Sequence, residues 1–191
     1  MNKEEIKIIL EPEFYGDMAE DFDNGDLLYC PWTNVYIKIN NKNFFKEERL
    51  IPESGIGAGF SGPLYVFIEK LISLPYELNK ERKVLYTDLE EQIYGVLVFE
   101  KKGEHVIIAD IDDNEWYKKE GIWYDGAKLV YSSPDKVPMS KNNVIGYDAF
   151  KKGCIEGAED VLNKLVLKYP KIEYTSGYRS LKEDFEKYKN L

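Results

Sequence analysis

The residues able to do chemistry in this chain are few, and most are carboxylates. The stretch "SGIGAGFSGPLYVFIEKL" (Ser54 to Leu71) holds a literal G-x-G-x-x-G at Gly57, Gly59 and Gly62. Such a loop can cradle a phosphate when it follows a buried strand and opens a helix within a βαβ unit. The preceding "NFFKEERLIPES" is broken by charges and by Pro52, so no buried strand leads into it. A P-loop is excluded more directly. Pro63 stands where the lysine would reach the phosphates, and Leu64 where a Ser or Thr would bind magnesium. Proline also lacks the N–H that a phosphate would use. The loop is therefore expected to turn the chain into the helix that follows it.

His105 is the single histidine, and the two cysteines are Cys30 and Cys154. In "EHVIIADI" His105 shares a strand face with Ile107, Ala109 and Ile111, the setting of a packed or edge histidine rather than a base. Cys154 falls on an apolar helical stripe and Cys30 sits in "LYCPW" between aromatics, so both are expected buried and reduced. No nucleophile signature surrounds either thiol. One histidine and two distant cysteines do not make a usual closed zinc set. "DIDDNEWYKKEG" begins like a calcium loop at Asp110, Asp112 and Asn114. It has Glu115 where the turn glycine belongs and Gly121 where the bidentate glutamate belongs. No cofactor and no metal are expected.

The carboxylates carry the remaining signal. Acidic runs recur at Asp17 to Asp26, Asp88 to Glu91, Asp110 to Glu115 and Glu156 to Asp160. Aromatics stand beside them: Phe22 and Tyr29; Tyr86 and Tyr94; Trp116, Tyr117, Trp123 and Tyr124. Aromatic side chains anchor interfaces, and carboxylates steer and hold basic partners. The candidate contact surface is Asp110, Asp112, Asp113, Glu115, Trp116, Tyr117, Trp123 and Tyr124, together with Asp88, Glu90 and Glu91. The bland reading is that tyrosines fill the sheet while acids keep it dissolved.

The elements that must position these residues follow from periodicity. "IKIILEPEF" predicts an opening strand, with Pro12 weakening its end or placing it at an edge. "NVYIKINNKNFF" predicts a hairpin turning at Asn40-Asn41. Leu64, Phe67, Ile68, Leu71 and Ile72 have the spacing of one helix face, with Pro63 in its first turn and Pro75 as its stop. "KVLYTDL" predicts a short strand. "YGVLVFEKKGEHVIIADI" predicts an antiparallel hairpin, and "GIWYDGAKLVYSS" a further strand pair turning at Asp125-Gly126. From Gly146 the pattern is helical. Tyr147, Phe150, Cys154, Ala158, Val161, Leu162 and Leu165 form one stripe that Pro170 ends, with Glu156, Glu159, Asp160 and Asn163 opposite it. Ser180 to Glu183, "SLKE", predicts a capping box opening a terminal helix through Phe185 and Tyr188.

The 191 residues suit a single domain, 1–191. The order of elements predicts an α+β fold, a mainly antiparallel sheet with helices packed on one face. The net charge of −9 argues against a nucleic-acid binder, which needs a basic face. No signal core or bilayer-length apolar run is present, so a cytoplasmic protein without a membrane partner is expected.

A small, acidic, tyrosine-rich α+β chain without a catalytic signature resembles the immunity proteins of bacterial polymorphic-toxin and contact-inhibition systems. The resemblance rests on "PLYVFIEKLISL", "YGVLVFEKKGEHVIIADI" and "YDAFKKGCIEGAEDVLNKLVLKYP". It is one of style, and no functional residue carries over from it. It implies a non-catalytic cytosolic inhibitor that binds a cognate toxin domain, often a basic nuclease. The alternatives are a small carboxylate-dependent enzyme, or a self-associating structural or regulatory protein.

Overall fold

The computed structural model describes residues 4–12, 32–44, 60–81, 83–87, 96–111, 123–125, 128–130 and 143–190. The architecture is α+β, as expected, and every described strand pair is antiparallel. The strands divide into two sheets rather than one.

The first sheet is built around β2 (Trp32–Ile39). β1 (Ile6–Pro12) pairs along its length, from Ile6 opposite Ile39 to Pro12 opposite Thr33. On the other side β3 (Lys42–Asn43) and β4 (Phe60–Pro63) each take one half of β2. Asn40 and Asn41 turn the chain at φ 51° and 62°, the left-handed pair that a two-residue hairpin needs and asparagine tolerates. Alternation decides which face is buried: Ile6, Ile8 and Leu10 point inward with Val35, Ile37 and Ile39, while Lys7 and Lys38 are exposed.

Part of the glycine-rich stretch is strand rather than loop. Gly62 lies opposite Thr33 and Pro63 opposite Trp32. Pro63 is the last residue of β4, not part of a helical turn, and α1 (Leu64–Lys80) begins directly after it. Gly55, Gly57 and Gly59 lie outside the described residues.

Pro75 does not stop α1, which runs five residues past it. A proline brings no N–H for the carbonyl of Leu71 and normally kinks or ends a helix. Here burial on both sides of the proline holds the helix: Leu71, Ile72, Leu74, Pro75 and Leu78 are all in the core. The Pro75 carbonyl also accepts a hydrogen bond from Tyr147 Oη at 2.7 Å.

The second sheet has the order β10-β7-β6-β5-β9-β8. Its members are β5 (Lys83–Thr87), β6 (Val96–Lys102), β7 (His105–Ile111), β8 (Trp123–Asp125), β9 (Lys128–Val130) and β10 (Asn143–Gly146). The β6–β7 hairpin closes at Gly103, whose φ of +59° suits the first central position of its tight turn. The strand pair predicted around Asp125 is β8–β9.

Two long elements close the fold, α2 (Tyr147–Lys168) and α3 (Ser176–Lys189), joined by a 3-10 turn at Pro170–Tyr174. Phe150, Cys154, Ala158, Val161, Leu162 and Leu165 of the predicted stripe are fully buried. Phe150 meets Phe99 of the second sheet at 5.7 Å between ring centroids. The stripe left out two glycines. Gly153 and Gly157 lie against β1, where a Cβ on either would come within 2.7 Å and 2.4 Å of the carbonyl oxygens of Ile6 and Ile8. Asn40 donates to the carbonyl of Glu5, so the intervening residues of β1 point their backbone groups away from β2. α2 therefore covers the free edge of β1, which would otherwise invite pairing by another strand.

The terminal helix starts four residues before the predicted capping box. Thr175 is the N-cap: its Oγ1 accepts from Tyr178 N at 3.3 Å and donates to Ile172 O at 2.7 Å. Ser180 and Glu183 lie inside the helix, because the Thr175 cap and the preceding turn set its start first. Phe185 is fully buried, and Tyr188 is half-buried with its ring 4.7 Å from that of Tyr76. Among the described residues, no helix is long and apolar enough to cross a membrane.

Candidate protein-binding surface

The register of the second sheet determines where the predicted contact residues attach. Thr87 ends β5, Val96 begins β6 and Ile111 ends β7. These three are consecutive partners, Thr87 opposite Val96 and Val96 opposite Ile111. Asp88, Glu90 and Glu91 follow Thr87 in sequence, and Asp112, Asp113 and Glu115 follow Ile111. Both acidic runs thus leave the same end of one sheet, from strand ends about 10 Å apart at two strand spacings. Beyond those first residues Asp88, Glu90, Glu91, Asp112, Asp113, Glu115, Trp116 and Tyr117 lie outside the described residues.

Asp110 belongs to β7, with Leu97 as its partner. Trp123 and Tyr124 belong to β8, opposite Val130 and Leu129. β9 lies beside β5 through Tyr86 and Lys128, so Asp125 and Lys128 point to the same sheet end as Thr87. Asp110 and the two aromatics are not neighbours, however. β6, β5 and β9 stand between their strands, about 19 Å in four steps. Asp110 lies next to the Thr87 end, whereas Trp123, opposite Val130, lies two residues further from that end than Asp125, so the sheet does not gather the three at one end.

The opposite end of the sheet is tied to the helices. Tyr147 Oη donates to the Pro75 carbonyl and accepts from Asn79 Nδ2 at 2.7 Å. Lys101 Nζ donates to Asn79 Oδ1 at 2.6 Å and stands 4.4 Å over the Tyr147 ring. Burial is the main cause that raises the Tyr147 phenol above its ordinary pKa; the Asn79 hydrogen bond acts in the other direction. Gly146 N donates to Glu4 Oε2 at 2.7 Å, linking the two sheets where α2 begins.

The other candidates occupy less chemical settings. His105 is exposed beside the hairpin turn, on a strand flanked by β10 and β6, and so is neither packed nor on an edge strand. Cys154 is fully buried, and burial pushes its thiol well above the ordinary range. That removes the thiolate a nucleophile needs. Cys30 lies outside the described residues, as do Asp17 to Asp26. The acids of α2 do not form an open negative face. Glu156 pairs with Lys152 at 3.4 Å, Asp160 with Lys164 at 2.7 Å and Glu159 with Lys189 at 2.6 Å. Among the described residues, no group of three His, Cys, Asp or Glu side chains could hold a metal ion.

One recess escaped the sequence reading. An open groove of about 960 Å³ lies between α2 and α3, lined by residues that include Asn163, Val166, Leu167, Tyr178, Arg179 and Lys182. The visible signal was Leu167, an apolar residue set off the buried stripe. It is 83% exposed. No family model, curated protein or solved structure matches the chain.

Proposed function

We propose that this chain is a non-catalytic protein-binding module, an immunity-type inhibitor acting in the cytoplasm. Its contact surface would be the acidic runs that follow Thr87 and Ile111 at one end of the six-stranded sheet, together with the candidate aromatics, and its partner a basic toxin domain, of which a nuclease is the type best matched. Carboxylates would stand in for nucleic-acid phosphates, and the inhibitor itself would need neither cofactor nor turnover. The observation that carries this reading is the register Thr87–Val96–Ile111, which attaches two acidic runs to one sheet end.

Tagged protein captured against lysate of its native host, across a salt series, tests it. One stoichiometric partner that leaves as salt rises is expected. The triple variant Asp112→Lys, Asp113→Lys, Glu115→Lys should keep its melting temperature and lose that partner at least about tenfold. Unchanged affinity in a folded variant removes this surface from the interface.

A further inference from the structure

We propose that a lysine–tyrosine patch shared by β6, α1, α2 and α3 is a second docking surface, and that its partner is an acidic peptide segment of another protein. The patch is a chain of contacts. Lys101 Nζ stands 4.4 Å from the centre of the Tyr147 ring, and Tyr147 Oη donates to the carbonyl of Pro75, the residue before Tyr76. Lys151, about one turn past Tyr147 on α2, places its Nζ 5.5 Å from the centre of the Tyr76 ring. The Tyr76 ring lies 4.7 Å from that of Tyr188, and Lys187 Nζ stands 5.0 Å from the centre of the Tyr188 ring. Cations from β6, α2 and α3 are thus seated on linked rings.

Two properties select that partner. The first is that the chain does not neutralise these ammonium groups itself. Among the described residues Lys101, Lys151 and Lys187 make no ion pair, and Lys101 donates to the neutral amide of Asn79. Carboxylates close to them in sequence or on the same elements are taken: Glu77 by Lys70, Glu100 by Lys102 and Glu186 by Lys182. A ring holds each ammonium in place, so less side-chain freedom is lost when a carboxylate arrives. The second is that the rings are half-buried and each already carries a lysine. Single-stranded nucleic acid binds by stacking its bases on open aromatic faces, which this patch does not offer. The net charge of −9 also repels a long polyanion, whereas a short acidic segment needs only the local field. Lys101 lies five residues past Val96 on β6, about 17 Å away. Exposed charges are largely screened beyond about 10 Å at about 0.1 M salt. The patch is therefore independent of the acidic sheet end and can stand or fall without it.

Fluorescent octaglutamate titrated with the full chain at about 0.1 M salt, followed by anisotropy, tests the proposal. Saturable binding below about 1 mM is expected, with labelled octauridylate at least about tenfold weaker. Lys151→Gln should weaken octaglutamate about threefold or more. Its melting temperature should barely move, because Lys151 makes no hydrogen bond or ion pair among the described residues. Lys151→Arg should keep the affinity, and the triple variant Lys101→Gln, Lys151→Gln, Lys187→Gln should lower it about tenfold or more. Lys38→Gln, at an exposed lysine of the first sheet, should change nothing. No saturable binding over that range overturns the proposal. So does octauridylate that binds as tightly as octaglutamate, an affinity indifferent to Lys151→Gln and to the folded triple variant, or one that falls equally in Lys38→Gln.

Discussion

Gly157 of α2 meets the backbone of Ile8 in β1 so closely that a Cβ built on it would stand 2.4 Å from the Ile8 carbonyl oxygen. The contact is helix backbone against strand backbone, so no side-chain rotation relieves it. Gly157→Ala should destabilise the fold by roughly 1–3 kcal/mol, the usual cost of overpacking. Helix propensity alone argues the other way, since alanine is better than glycine by about 1 kcal/mol. Chemical denaturation therefore discriminates: a more stable alanine variant would mean that the approach of α2 to β1 is looser than described.

Cys154 should make the protein lose stability in alkali. Its folded thiol titrates far above the ordinary range because burial disfavours the thiolate. The unfolded thiol ionises near pH ~8.5. Below that pH both states hold the proton and the stability is fully present. Above it the unfolded state sheds the proton first, so stability falls by about 1.4 kcal/mol per pH unit. Denaturation midpoints between about pH 8 and pH 9.5 should decline in a Cys30→Ser background and flatten when Cys154→Ala is added. An equal slope in both would assign the effect elsewhere.

Thr175 and Ser180 compete for the role of cap to α3, and the hydrogen bonds favour Thr175. Thr175→Ala should cost about 1 kcal/mol, the usual value of an N-cap, with the bond to the Ile172 carbonyl lost as well. Ser180→Ala, at an exposed position inside the helix, should be neutral or slightly stabilising. Thermal melts of the two single variants give the answer, and the reverse ranking would restore the capping box as the helix start.

Local pattern alone determined most of the elements. The alternation of Ile6, Ile8 and Leu10, the Asn40-Asn41 turn, the β6–β7 hairpin and the stripe from Phe150 to Leu165 were legible because each depends on neighbours a few residues away. The misreadings share a different cause. Pro75 is a helix stop by local rules, and only core packing on both sides of it, with Tyr147 beneath its carbonyl, carries α1 onward. "SLKE" has the right letters for a cap, but the helix had already begun at Thr175. Gly153 and Gly157 look like weak helix residues until β1 is laid against them. The candidate surface divides in the same way. Its acids and aromatics were plain in the sequence. That Thr87, Val96 and Ile111 line up, bringing two runs over twenty residues apart to one sheet end, was decided by strand register. Register is set by long-range pairing and burial, which no short window of sequence contains.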